Sequence, residues 1–103
     1  MSNDTIKTNL QHIIRVATKL QSGVRNRSLS PADVSPSLND IRSIAHDTAR
    51  LPGAGSNEQA LAAEAAKLPI ATSAFDALGG FDGVDRALQR IVDLATKALG
   101  ARP

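Results

Sequence analysis

Residues 6–24 read IKTNLQHIIRVATKLQSGV, and this stretch decides the fold. Apolar side chains recur in it at alternating steps of four and three residues: Ile6, Leu10, Ile13, Ala17, Leu20 and Val24. An α-helix has about 3.6 residues per turn, so this spacing places all of them on one stripe of a helix. The stretch therefore predicts an amphipathic helix over about residues 4–23, with Gly23 at its end.

The same spacing returns later in the chain and predicts further helices. It marks an inner face in the second segment (Leu38, Ile41, Ala45, Thr48) and in the last (Val84, Leu88, Ile91, Ala95, Ala98). Between these segments, Gly-rich turns and Pro69 divide the chain, since a proline disfavours helical geometry in the residue before it. The predicted helices span residues 37–51, 57–67, 70–78 and 83–99.

Two Ser-Pro pairs fall in the predicted linker, residues 24–36, and each is a helix-start signal. In the first, Ser30 stands at an N-cap, Pro31 follows at the first helical position, and Asp33 is the third. We expect this pair to start one helical turn only, and Ser35-Pro36 to start the long second helix. For the third helix, Ser56 is the expected N-cap, with Gln59 completing a capping box.

The fold class that follows is all-α: a small bundle of four to five helices, in one domain over residues 1–103, with short Gly/Pro/Ser loops. No segment alternates polar and apolar residues with a period of two, so no strand is expected. The chain has two Phe and neither Trp nor Tyr. Leu, Ile, Val and Ala must then fill the core, and association with another chain would add buried surface.

The sequence offers few residues of the types that catalysis or metal binding requires. There is no Cys, and the two His, His12 and His46, fall on different helices without metal-ligand spacing. Ser43, His46 and Asp47 are close in sequence, but adjacent helical residues point roughly 100° apart, so we expect Asp47 not to orient the His46 ring. We predict a non-enzymatic protein that uses no cofactor and no metal.

The charge is unevenly placed although the net charge is only +2. Residues 1–27 carry five basic side chains and one acidic one, and the basic ones are candidate contacts to an anionic partner: Lys7, Arg15, Lys19, Arg25 and Arg27. Such a face could contact phosphates, although it has no aromatic side chain for base stacking. The small number of charges and the nearly balanced net charge favour a solvated helix surface instead.

We expect the protein to be a protein–protein interaction module, such as a regulator, inhibitor, adaptor or small assembly subunit. It would bind another protein, or a second copy of itself in a homo-oligomer, through an apolar helix face whose candidate residues are Ile6, Leu10, Ile13, Leu20, Leu88 and Ile91. The alternative is a small nucleic-acid-binding accessory protein that uses the basic face of the first helix. With no signal peptide or membrane-spanning run in the sequence, we expect a cytoplasmic location; Ala and Arg usage favours a bacterial origin.

Overall fold

The structure, a computed structural model, describes residues 2–68 and 79–102. Within these ranges the chain forms four α-helices and no strand: α1 (Ser2–Arg25), α2 (Pro31–Ala49), α3 (Ser56–Ala65) and α4 (Gly80–Gly100). The predicted all-α bundle is confirmed, with four helices in the described part of the chain. The helix expected over residues 70–78 lies outside the described residues.

Each helix packs against two neighbours, so the four close into a ring. α1 lies between α2 and α4, and α3 lies between the same two helices on the other side. Hydrogen bonds between helices fix their directions: Asn9, early in α1, donates to Thr48, late in α2 (3.1 Å), and Gln21, late in α1, donates to Asp85, early in α4 (3.0 Å). The helices therefore alternate up and down along the chain.

The apolar stripes read from the sequence all face the centre of this ring. In α1 the six stripe residues are at most 5% exposed, and the core is completed by stripe residues of the other helices, chiefly Val34, Leu38, Ile41, Leu61, Val84, Leu88 and Ile91. Small Ala side chains, such as Ala45 and Ala95, alternate with the larger ones along each stripe. Such alternation lets the helices approach closely and fill the core without aromatic side chains.

The second helix begins six residues earlier than predicted, at Pro31. Ser30 and Asp33 form a complete capping box, in which the Ser30 backbone N–H donates to Asp33 Oδ2 (3.0 Å) and the Asp33 N–H donates to Ser30 Oγ (3.3 Å). Pro36 lies within the helix on its exposed side, where its missing N–H removes one hydrogen bond. The capping box and the full burial of Val34 offset this loss.

Two other helix boundaries also differ from the expectation. The third helix is capped at Gly55, whose N–H donates to Glu58 Oε1 (2.6 Å), so Glu58 takes the role expected of Gln59. The first helix continues past Gly23 to Arg25 and ends with Arg27 in the left-handed region (φ 56°). The Ser28 N–H reaches Gly23 O (3.0 Å), a bond typical of a Schellman ending.

One buried ion pair joins four parts of the chain at one end of the bundle. Arg102 donates to Glu58 Oε1 (2.5 Å), to Asn3 Oδ1 (2.9 Å) and to Gly53 O (3.0 Å). The Glu58 side chain is 3% exposed and that of Arg102 13%. Arg102 thus connects the start of α1, the α2–α3 turn and the start of α3 to the end of α4.

Burying a charge within the α1 stripe tests the core assignment. We expect Ile13→Asp to lower the free energy of unfolding by about 3–5 kcal/mol, because Ile13 is fully buried and an aspartate there finds no partner. Thr18→Asp, which places the same charge on the exposed side of α1, is the control and should change stability by less than about 1 kcal/mol. Urea unfolding followed by circular dichroism measures both; equal stabilities would contradict the core assignment.

Removing Arg102 tests the ion pair. Burial alone would raise the pKa of Glu58, but hydrogen bonds from Arg102 and Gly55 outweigh it and hold the pKa below its ordinary value of 4.5. We expect Arg102→Ala to destabilise the protein by about 3 kcal/mol at pH 7, since it leaves a buried carboxylate unpaired. Arg50→Ala, at an exposed arginine after α2, should have little effect.

The loss of stability in Arg102→Ala should depend on pH. A carboxyl whose pKa is lowered by folding stabilises the folded state above its ordinary pKa, and this contribution is lost as the pH falls through the lowered value. In Arg102→Ala the hydrogen bond from Gly55 remains, but without the guanidinium burial raises the pKa of Glu58 relative to the parent protein. The difference in unfolding free energy between the two proteins should therefore narrow below about pH 4.5. A difference that stays constant down to pH 3 would show that this carboxylate is not the group responsible.

Candidate functional grooves

The six residues expected to form an intermolecular interface lie inside the bundle. Leu20 is 5% exposed, and the other five, Ile6, Leu10, Ile13, Leu88 and Ile91, are fully buried. Their apolar surface is covered by helices of the same chain, because α1 and α4 pack directly against each other. In the folded monomer, a partner can reach only the side chains that flank these stripes.

The basic residues predicted on α1 are divided between paired and unpaired groups. Arg25 Nε donates to both carboxylate oxygens of Asp85 (3.1 and 2.9 Å), and the Arg27 guanidinium lies over the Phe81 ring, 5.8 Å from its centroid. Lys7 is half-buried. Arg15 and Lys19 are exposed and form no ion pair within residues 2–68 and 79–102. The predicted basic face is thus reduced to two unpaired cations at the middle of α1.

A groove of about 350 Å³ runs between α1 and the first half of α2. Its floor is apolar and its rim carries both signs of charge; the lining residues are His12, Val16, Lys19, Leu20, Leu29, Asp33, Ser37 and Asp40. Two of them were predicted as site residues from the sequence: Leu20 for an apolar interface and Lys19 for contact with an anionic partner. Hydrogen bonds from Ser30 lower the pKa of Asp33, whose carboxylate caps α2.

Leu29 is a groove residue whose role the sequence did not predict. It falls in the predicted linker, outside any helical period, yet it packs on the core beside Gly23. A Cβ at position 23 would lie 2.8 Å from Leu29 Cγ, so only glycine leaves room for this side chain. Its position before the Ser30 N-cap, with Val34 four residues into the helix, matches a hydrophobic staple, a signal that could have identified it.

A second groove, of about 340 Å³, lies between α2 and α3 and contains Ser43, His46 and Asp47. The two side chains approach each other without a close hydrogen bond: His46 Nδ1 lies 3.4 Å from Asp47 Oδ1. The side chains are 63% and 77% exposed, so the pair stands in solvent. In the described part of the chain, Ser43 makes no hydrogen bond to the His46 ring.

The described residues form neither a cluster of metal ligands nor a membrane-spanning helix. Residues 2–68 and 79–102 bring together no group of three His, Cys, Asp or Glu side chains that could hold a metal ion. Within the same ranges, no helix combines the length and the hydropathy that crossing a bilayer requires. Glu64, on α3, is instead paired with Arg90 of α4 (2.7 Å), whose hydrogen bond lowers the pKa of that carboxyl.

Replacing glycines by alanine tests how Leu29 packs beside Gly23. Gly→Ala within a helix usually stabilises it by up to about 1 kcal/mol. At Gly23 we expect no gain in stability and a shift of the Leu29 methyl resonances, because the new Cβ displaces that side chain. Gly100→Ala, where no atom lies within 4 Å, is the control. In a Leu29→Ala background the clash is absent, so there Gly23→Ala should raise stability relative to Leu29→Ala alone; Leu29 resonances unmoved by Gly23→Ala in the parent protein would refute this packing.

Comparison with protein-family models, with curated proteins and with solved structures gives no match to this chain. Its function is accordingly inferred from the side chains that line the two grooves.

Proposed function

We propose that this protein is a non-enzymatic helical interaction module that binds another protein through the groove between α1 and α2. The observation that supports this proposal most directly is the apolar floor of the groove, formed by Val16, Leu20 and Leu29. A regulator, an inhibitor, an adaptor or a small assembly subunit would each act through such a contact. We infer a cytoplasmic setting from the sequence.

The floor is suited to receive a partner's apolar side chain. Val16 and Leu29 are half-buried, so each presents part of its surface to solvent while the rest packs on the core. Apolar anchors that enter a pre-formed recess and exclude water supply most of the binding energy in protein interfaces. Leu29 packs on the core in the space that Gly23 leaves, so the recess is already formed before a partner arrives, which lowers the entropic cost of binding.

The rim would set the orientation of the partner. Lys19 and His12 stand on the α1 side, and Asp40 stands on the α2 side. Asp33 is engaged with Ser30 at the start of α2, so Lys19 and Asp40 are the charges left to meet a partner. Charges of opposite sign on the two sides of the groove favour one direction of a bound segment. They affect the encounter rate more than the affinity.

A second copy of the chain and a nucleic acid are the rival partners. In self-association, the α1–α2 groove of one copy would contact the same groove of a second copy. Nucleic-acid binding would use Arg15 and Lys19, but two unpaired cations neutralise few phosphates, and the affinity of such contacts falls steeply with salt.

Site-specific photocrosslinking tests the proposal. A photoreactive residue at position 19, on the groove rim, should capture one protein partner, while the same residue at position 97, on the exposed face of α4, should not. Binding to the identified partner should weaken about tenfold in Leu29→Ala and in Lys19→Glu, and should be unchanged in Lys97→Glu.

The other outcomes separate the rivals. A crosslinked product of twice the chain mass, with a dimer in light scattering, would identify a second copy as the partner. A gel shift that weakens with salt and is lost in Arg15→Ala/Lys19→Ala would favour nucleic acid. Equal capture at positions 19 and 97, or full affinity in Leu29→Ala, would rule out the α1–α2 groove.

A further inference from the structure

Arg42 on α2 is a half-buried arginine without a partner. It makes no hydrogen bond and no ion pair with the described residues, whereas Arg25, Arg90 and Arg102 each pair with a carboxylate. The other cations without an ion pair in this part of the chain, such as Lys19 and Arg50, are exposed and solvated. The side-chain nitrogens of Arg42 remain open to solvent, so they are available to a ligand beside α2.

The groove between α2 and α3 provides space directly beside this guanidinium. Asn39, Arg42, Ser43, His46 and Asp47 form its α2 wall, and α3 and the turn after it contribute only Ala62 and Ala66. These small side chains leave about 340 Å³ open opposite the polar wall, a volume at the lower end of small-molecule sites. The groove therefore has one polar wall and one apolar wall.

The polar wall consists mainly of hydrogen-bond donors. The Arg42 guanidinium is a planar fork that matches the two oxygens of a carboxylate. Two more donors line the groove beside it: the Asn39 amide, three residues earlier, and the Ser43 hydroxyl, one residue later. Asp47, the acidic residue of this wall, contacts His46. Negative charge is thus favoured at the Arg42 end of the groove and disfavoured at the Asp47 end.

We propose that this groove binds a small organic acid, with its carboxylate on Arg42 and a short apolar body against Ala62 and Ala66. The site is separate from the α1–α2 groove, and its ligand does not depend on the partner proposed there. An arginine fork binds carboxylate and phosphate alike, so the apolar body against Ala62 and Ala66 is what distinguishes an organic acid from an inorganic anion. The alanine wall limits the apolar body to a few carbon atoms.

Titration with sodium butyrate at constant ionic strength, followed by backbone amide NMR, tests this assignment. Saturating shifts are expected at Asn39, Ser43, Ala62 and Ala66. Butyramide, which has the same shape without the charge, and sodium phosphate should each bind at least about tenfold more weakly. Equal binding of either, or no saturating shift with butyrate, would overturn the proposal.

Variants separate recognition by the fork from charge alone. Arg42→Gln should weaken butyrate binding about tenfold, and Arg42→Lys should recover only part of the loss. Ala62→Leu should block the groove while it leaves Arg42 intact. Arg50→Gln, which removes an exposed cation two turns along the same helix, should bind as the parent does. Unchanged affinity in Arg42→Gln or in Ala62→Leu, or an equal loss in Arg50→Gln, would show that the groove is not the site.

Discussion

The structure depends on one constraint: the four helices of residues 2–68 and 79–102 must cover one another's apolar stripes with almost no aromatic side chains. Phe81 is half-buried at the edge of the core, so Leu, Ile, Val and Ala fill the centre. Every stripe residue is then used by the neighbouring helices, and none is left over for a partner. Contacts with other molecules fall to the residues that flank the stripes, which is where both grooves lie.

Polar contacts determine how the helices align, because an apolar stripe alone permits sliding by a turn. Thr48 accepts a hydrogen bond from Asn9 at one level of the bundle, and at another Gln21 donates to Asp85 and to Gln89. Thr48 and Gln21 find these partners in one register only, and a shifted register would leave them unsatisfied. The positions of the grooves are thus set by a few side chains that line neither of them.

The sequence was sufficient to predict the helices whose apolar residues recur with a regular spacing. The stripe of α1 and the inner faces of α2 and α4 follow from spacing alone, because burial in a helix imposes that spacing. The start of α2 did not follow, since both Ser30-Pro31 and Ser35-Pro36 can begin a helix; the capping box between Ser30 and Asp33 and the burial of Val34 favour the first. The grooves were also out of reach, because Leu29 and Arg42 acquire their roles from residues on other segments, Gly23 and Ala62.

The contact between Arg102 and Asn3 brings two residues that are 99 positions apart in sequence within hydrogen-bonding distance. Residues near the two ends of the described chain therefore lie side by side at one end of the bundle. A short peptide could bridge them without stretching, and the loop between α1 and α2 could then be opened instead. The order of the helices along the chain is, in this sense, independent of their arrangement in space: a circularly permuted gene could encode the same bundle.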